Sequence, residues 1–262
     1  TAGNTGRKER EGMIAQSKSR WAQELTSMDH EDDDSGITWN KRARDRDPNR
    51  MSPRQAWRAI QAAMPDNAII STDIGNNCAI GNAYPSFEKG RKYLAPGLFG
   101  PCGYGLPAIL GAKIGCPDVP CIGFAGDGAF GISMNEMTAC GRNDWEPITM
   151  VIFRNYQWGA EKRNTTLWFD DNFVGTELNV GVDYAKVAEA CGVKGVKVDN
   201  PDALTEALRT AISQQMENGV TTFIEVVLNQ ELGEPFRRDA MKTPKKIAGI
   251  RREDMQPQQP VL

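Results

Sequence analysis

One carboxylate and one amide carry the strongest chemical hint in this chain. Asp127 stands between Gly126 and Gly128, and Asn155 follows it by 28 positions. Each comes after a short apolar run, Cys121 to Ala125 for the first and Ile148 to Phe153 for the second. Runs of that length, bounded by glycine and polar turns, read as buried parallel strands. A carboxylate and an amide leaving the C-terminal ends of two parallel strands can converge in one crevice, where open α/β sheets bind their ligands. Asp and Asn oxygens are hard donors, suited to Mg2+ held beside a phosphorylated ligand. A bare carboxylate would repel phosphate, and a cation between them reverses that sign. The flanking glycines let the backbone come close, and the N–H groups that follow, from Gly128, Ala129 and Phe130, can meet phosphate oxygen. The alternative is a surface Gly-Asp-Gly turn, with Asn155 as a cap.

Gly126 to Gly131 also spells GxGxxG. A dinucleotide fingerprint needs an acidic ribose-binding residue at the end of the next strand, about 20 positions on. The next strand ends in Arg154-Asn155 instead. An aspartate inside the first GxG is also ill placed for direct contact with pyrophosphate, so a nicotinamide site is set aside.

Composition narrows the chemistry further. The 262 residues carry a net charge of −3, which gives no electrostatic case for nucleic acid or membrane binding. No apolar run approaches the roughly 20 residues of a membrane span. The six cysteines form no CxxC pair and read as small core residues of a reducing, cytoplasmic setting. The single histidine, His30, lies in an acidic run that reads as a solvated loop, so neither a Ser-His-Asp triad nor a histidine zinc site fits. With so little acid–base equipment, difficult chemistry would have to come from a cofactor.

Longer motifs point to which one. The chain resembles the diphosphate-binding domain of thiamine-diphosphate enzymes, whose signature is GDG, a spacer of about this length, then Asn. The stretch from Gly97 to Ala108, with its repeated glycines and Gly105-Leu106-Pro107-Ala108, is similar to the acetolactate-synthase-like branch. Phe153 to Thr166, together with Phe169 to Gly175, resembles the sulfoacetaldehyde acetyltransferases.

That resemblance implies thiamine diphosphate and Mg2+ as cofactors. Asp127 and Asn155 would be metal ligands through side-chain oxygens, and Gln157 would be a third through its backbone carbonyl. The Ile74-Gly75-Asn76-Asn77 loop would touch the diphosphate, with Asn76 and Asn77 as donors, or be a plain turn. Gly100 belongs to the glycine-rich stretch, and Gly159 matches the family after Gln157. Cys102 falls where the family carries a bulky residue under the bent cofactor, and a buried small residue is the other reading. Lys162 and Arg163 read either as fixed cations that hold a sulfonate or phosphate, or as a solvated charged turn. The family has two asparagines where this chain has Arg154-Asn155.

The implied reaction converts sulfoacetaldehyde and phosphate to acetyl phosphate and sulfite. Acetolactate-synthase-like or glyoxylate-carboligase-like carboligation is the alternative, and a non-catalytic module that keeps the metal site for assembly is a third. The resemblance also implies a homodimer or homotetramer, bordered by the Gly97–Pro107 and Trp158–Trp168 segments. The activating glutamate would come from a pyrimidine-binding domain that this chain lacks.

The elements that must position these groups alternate along the chain. Residues 1–50 read as a charged helix (Arg7 to Thr26) and a linker with Trp39 as an anchor, ending a preceding central domain. Residues 51–232 read as the cofactor domain, and 233–262 as a surface tail. Ser52-Pro53 should open a helix, Ala68 to Ser71 a strand, Leu106 to Ile114 a helix and Ser133 to Asn143 another. Tyr184 to Cys191 reads as a helix and Val193 to Val198 as a strand. Pro201 to Glu217 reads as a helix capped by Asn200, and Thr222 to Leu228 as the last strand. Such alternation predicts an α/β fold, a doubly wound, mostly parallel sheet with helices on both faces.

Overall fold

The computed structural model describes residues 6–29, 42–43, 46–86, 92–142, 145–169, 171–232, 246–247 and 250–251. His30, Trp39 and most of the tail lie outside them. The chain divides into two compact units, Thr1–Gly36 and Ile37–Leu262, ahead of the boundary expected near residue 50. In the first, helix α1 (Arg7–Asp29) starts where expected and runs past the Thr26 end anticipated. No described helix is long and apolar enough to cross a membrane.

The second unit is built on a six-stranded parallel sheet. Its strands are β1 (Ile69–Thr72), β2 (Lys92–Leu94), β3 (Cys121–Gly126), β4 (Thr149–Arg154), β5 (Lys194–Val198) and β6 (Thr222–Val227). Their order is β2-β1-β3-β4-β6-β5, every pairing parallel. The chain leaves β1 for β2 at one edge, then returns to lay β3 on β1's other side, so a crevice opens beyond the ends of β1 and β3. Strands β1, β4 and β6 are buried at every residue, as a parallel sheet covered on both faces requires.

Helices cover the sheet where local chemistry starts them. Helix α2 (Pro53–Ala63) begins in a capping box: Ser52 accepts from the Gln55 N–H, and Gln55 accepts from the Ser52 N–H. Its Trp57 packs on Phe124 and Phe153, ring centres 4.8 and 5.4 Å away, which fastens it to β3 and β4. After α3 (Asn76–Ile80), helix α4 (Gly105–Gly115) buries Leu106, Ile109 and Leu110 in a core shared with Phe130, Met150, Ile152 and Phe223. Asn200 caps the helix that opens at Pro201, as its position suggested.

The helix expected over Ser133 to Asn143 is a correction. Helix α5 starts directly at the glycine pair and spans Asp127–Ser133, followed by a 3-10 turn and the short α6 (Met137–Cys140). Phe130 explains the early start. Its ring packs edge-on against Tyr184 at 5.2 Å and against Phe223 at 6.0 Å, so burial overrides the poor helix propensity of the glycines. Helices α7 (Gly159–Phe169), α8 (Tyr184–Ala190) and α9 (Pro201–Asn218) complete the unit.

Candidate cofactor site

Asp127, at the first turn of α5, and Asn155, just past β4, are both almost wholly buried at the C-terminal edge of the sheet. Backbone geometry joins them. Tyr156 adopts a left-handed φ of 60°, a sparsely populated region for a side chain of its size, and so turns the chain sharply after Asn155. Asp127 Oδ2 accepts from the Tyr156 N–H at 2.7 Å and holds that turn. The next residues then pair with a neighbouring segment. The Trp158 N–H donates to Thr176 O, and the Leu178 N–H donates to Tyr156 O. Those two bonds flank Gln157, leaving its own carbonyl to face away from the pairing.

The result is a knot of oxygens. One atom of the Asn155 side-chain amide stands 3.2 Å from both Asp127 Oδ1 and the Gln157 carbonyl oxygen, and the other stands 3.2 Å from Asn77 Nδ2. Without a cation, the amide must present nitrogen to the two oxygens. With a cation among the three, it presents oxygen. A half-turn of the Asn77 amide then lets its Oδ1, which otherwise has no hydrogen-bond partner among the described residues, accept from Asn155.

Electrostatics follow the burial. Desolvation pushes the Asp127 carboxyl up to about 6, against the downward pull of Arg154 and of the Tyr156 and Gly128 N–H groups. Arg154, 1% exposed, donates from Nη1 to Asp127 Oδ2 at 2.9 Å. Its other amino group bonds the carbonyls of Asn179 and Val182, and the Tyr156 ring centre lies 4.2 Å from the guanidinium carbon.

A cleft opens above this knot. Of the residues anticipated from sequence, Asp127, Asn155, Gln157 and Gly159 line it, as do Gly126, Gly128 and Ala129. Asn76, Asn77 and Cys102 also line it. Burial raises the Cys102 thiol, with Asp73 and Glu161 adding to the effect, which is the opposite of an activated nucleophile. Gly75 and Gly126 both face open space where a Cβ would project, so the backbone leaves room for a ligand to approach. Gly128 serves packing instead, because a Cβ there would meet the Trp158 indole at 2.8 Å.

Other anticipated residues take different parts. The Asn76 amide donates to the carbonyls of Gly159 and Leu232, so its N–H groups fasten loops, and its oxygen has no hydrogen-bond partner among the described residues. Phe130 is completely buried in the core and lines neither cleft. Gly100 lies outside the cleft walls, its φ of +68° turning the loop over Ile74. Lys162 and Arg163 are not a solvated turn, for both are on α7 and at most 1% exposed. Lys162 pairs with Glu177, donates to Gln157 Oε1 at 3.0 Å and packs on Phe173; burial lowers its pKa, with Glu177 opposing. Arg163 instead lines a larger adjoining cleft with Asn164, Thr72 and Asn82.

Two contributors escaped the sequence reading. Asp73, buried at the end of β1, accepts from the N–H groups of Ile74, Gly103 and Gly105, which ties the glycine-rich loop to the cleft. Arg154 had figured only as a departure from a pair of asparagines.

Comparison with known proteins accords with this geometry. The family described as thiamine pyrophosphate enzyme, C-terminal TPP binding domain, matches residues 73–226. A probable sulfoacetaldehyde acetyltransferase of Rhizobium meliloti is 73% identical over 98% of this chain and 43% of its own length. The sulfoacetaldehyde acetyltransferase of Roseovarius nubinhibens is 69% identical over 99% of this chain and 43% of its own. A probable acetolactate synthase large subunit of Methanococcus aeolicus is 28% identical over 62% of this chain and 28% of its own. The chain thus spans less than half the length of these relatives. Among solved structures, a thiamine diphosphate-dependent 4-hydroxybenzoylformate decarboxylase of Rhodococcus jostii aligns with a TM-score of 0.62 at 25% identity, over 69% of this chain and 33% of that one. The match over residues 73–226, the parallel sheet and the cleft beyond its strand ends agree: the chain belongs to the thiamine pyrophosphate enzymes, as a C-terminal TPP-binding domain.

Proposed function

We propose that this chain is the diphosphate- and Mg2+-binding part of a thiamine-diphosphate-dependent acetyltransferase that converts sulfoacetaldehyde and phosphate to acetyl phosphate and sulfite. The observation that carries the metal reading is the 3.2 Å spacing of the Asn155 amide from Asp127 Oδ1 and the Gln157 carbonyl. Adjacent ligands of an octahedral Mg2+ with legs of about 2.0–2.1 Å stand roughly 3.0 Å apart. The substrate rests on the identity to sulfoacetaldehyde acetyltransferases over nearly the whole chain.

When bound, thiamine diphosphate supplies a carbon nucleophile for the substrate carbonyl and an electron sink for the bond that breaks. The protein's own residues bind and orient. Asp127, Asn155 and Gln157 hold the cation that offsets the diphosphate charge, while Gly126 and Gly75 leave space for it. Arg163, in the wall of the larger cleft, suits a sulfonate or phosphate better than Lys162, whose charge is used by Glu177.

Several features of the intact enzyme belong to the same reading. Residues 1–50 end a preceding domain, 51–232 bind the cofactor and 233–262 form a surface tail, and a separate domain supplies the pyrimidine end with its activating glutamate. A homodimer or homotetramer brings the two together, and the fully exposed Leu98 and Phe99 of the glycine-rich loop offer it an apolar rim. All six cysteines are free, in keeping with the cytoplasm. The test is to assay the intact enzyme for phosphate-dependent sulfite release from sulfoacetaldehyde beside acetolactate formation from pyruvate. Acetolactate without sulfite release would replace the acetyltransferase reading with the carboligase one.

A further inference from the structure

The buried guanidinium beside Asp127 poses an electrostatic problem. A divalent cation on Asp127 would meet a carboxylate whose other oxygen already neutralises Arg154 at 2.9 Å. Asn155 and Gln157 bring no charge, so the buried Asp127 would be shared between two cations.

Strand register supplies the missing charge. In the β4–β6 ladder, Arg154 lies opposite Val227 and Ile152 opposite Glu225. Arg154 and Glu225 are therefore diagonal neighbours on one face of the sheet. Glu225 is completely buried between Ile224 and Val226, and its Oε1 stands 3.8 Å from Arg154 Nε. Arg154 Nε has no hydrogen-bond partner among the described residues, so the Glu225 carboxylate is the charge it faces, while Glu225 Oε1 is shared with a second cation. Across the β5–β6 ladder, Glu225 faces Lys197, whose Nζ lies 3.4 Å from Oε1 and 3.3 Å from Asp183 Oδ2. Charges thus alternate from the cation site to the edge strand: Asp127, Arg154, Glu225, Lys197, Asp183.

On the proposed Mg2+ site, we infer that Glu225 is a positioning residue: by sharing the charge of Arg154, it lets the guanidinium fix Asp127 without competing for it against the divalent cation. Two purely structural contacts of Glu225, with Lys197 and with the Ala185 N–H that its Oε2 accepts at 3.1 Å, would predict only a loss of stability on substitution. The charge-sharing role predicts a sign that packing cannot.

The test is Mn2+ binding by electron paramagnetic resonance on the intact enzyme, with saturating thiamine diphosphate, and Mg2+ by competition. Glu225→Gln should weaken Mn2+ about tenfold, the order expected when a residue behind a metal ligand is lost. Adding Arg154→Gln removes the opposite charge and should restore affinity to within about threefold of the parent enzyme. Lys197→Gln, at a side chain 42% exposed and so tolerant of change, leaves Glu225 more fully to Arg154 and should tighten Mn2+ about twofold. It keeps the test open if the buried variants do not fold. Unchanged affinity in Glu225→Gln, a double variant no better than that single one, or unchanged or weaker binding in Lys197→Gln would overturn the inference. Asp127→Ala is the control: retained Mn2+ binding there would refute the metal site itself, whereas lost binding beside an indifferent Glu225→Gln would refute only the role of Glu225.

Discussion

Replacing Asp127 with asparagine should stabilise the metal-free protein at neutral pH while abolishing its response to Mg2+. Asp127 is 1% exposed, and burial lifts its carboxyl from 3.8 to about 6 in spite of Arg154 and two backbone N–H groups. A raised carboxyl pKa means that the folded protein keeps a proton the unfolded chain has released. The group's contribution to stability is therefore complete below about pH 4 and disappears as pH rises through about 6. At roughly 1.4 kcal/mol per unit, a shift of about two units makes the ionised Asp127 cost up to about 3 kcal/mol at pH 7. A bound cation offsets that cost. The assay is urea unfolding of chelator-treated parent and Asp127→Asn proteins from pH 4 to 8. Their stabilities should be similar near pH 4 and diverge by up to about 3 kcal/mol near pH 7, with the asparagine variant the more stable. Mg2+ with thiamine diphosphate should then raise the parent only. The difference between the two curves isolates residue 127 from every other titrating group. Parallel profiles would show that this carboxylate pays no desolvation penalty, and the reasoning from burial would fail.

Neighbouring glycines should separate packing from binding. Gly128→Ala sets a methyl 2.8 Å from the Trp158 indole and should destabilise by about 1–3 kcal/mol with a shifted tryptophan emission. Gly126→Ala meets no protein atom within 4 Å, so it should unfold normally yet weaken thiamine diphosphate in equilibrium dialysis. Arg163→Ala should raise the KM for an anionic substrate, whereas Lys162→Ala should lower stability by about 1–3 kcal/mol by leaving Gln157 Oε1 unsatisfied; steady-state kinetics and thermal melts tell them apart. Ser52→Ala breaks the capping box of α2 and should cost about 1 kcal/mol in urea unfolding, with no change in cofactor binding.

The sheet was legible because its inner strands are short apolar runs with polar ends, and burial on both faces demands such runs. Elements that lack that signal escaped. Strand β2 is three residues, Lys92-Tyr93-Leu94, at an edge where only one neighbour pairs with it. Helix α5 hides in Asp127-Gly128-Ala129-Phe130-Gly131, where two glycines argue against a helix and only the burial of Phe130 forces one. Helix α7 shows no apolar stripe because the face it buries includes Lys162 and Arg163, whose counter-groups are distant in sequence.

Asp127 and Asn155, the proposed side-chain ligands of a cation, could be singled out from residue type and spacing, but the charges behind them could not. Hard oxygens at the ends of two strands are a local pattern, and Asp127 and Asn155 do converge. Arg154 and Glu225 belong together only once the register of β4 on β6 is known, because a shift of one residue would put them on opposite faces of the sheet. Each nevertheless leaves a trace. An arginine closing a buried strand and a glutamate inside Thr222–Val227, buried at every position, are both too costly to desolvate alone. Two such charges of opposite sign, on strands that one parallel sheet must bring side by side, constrain that register as strongly as the apolar residues around them.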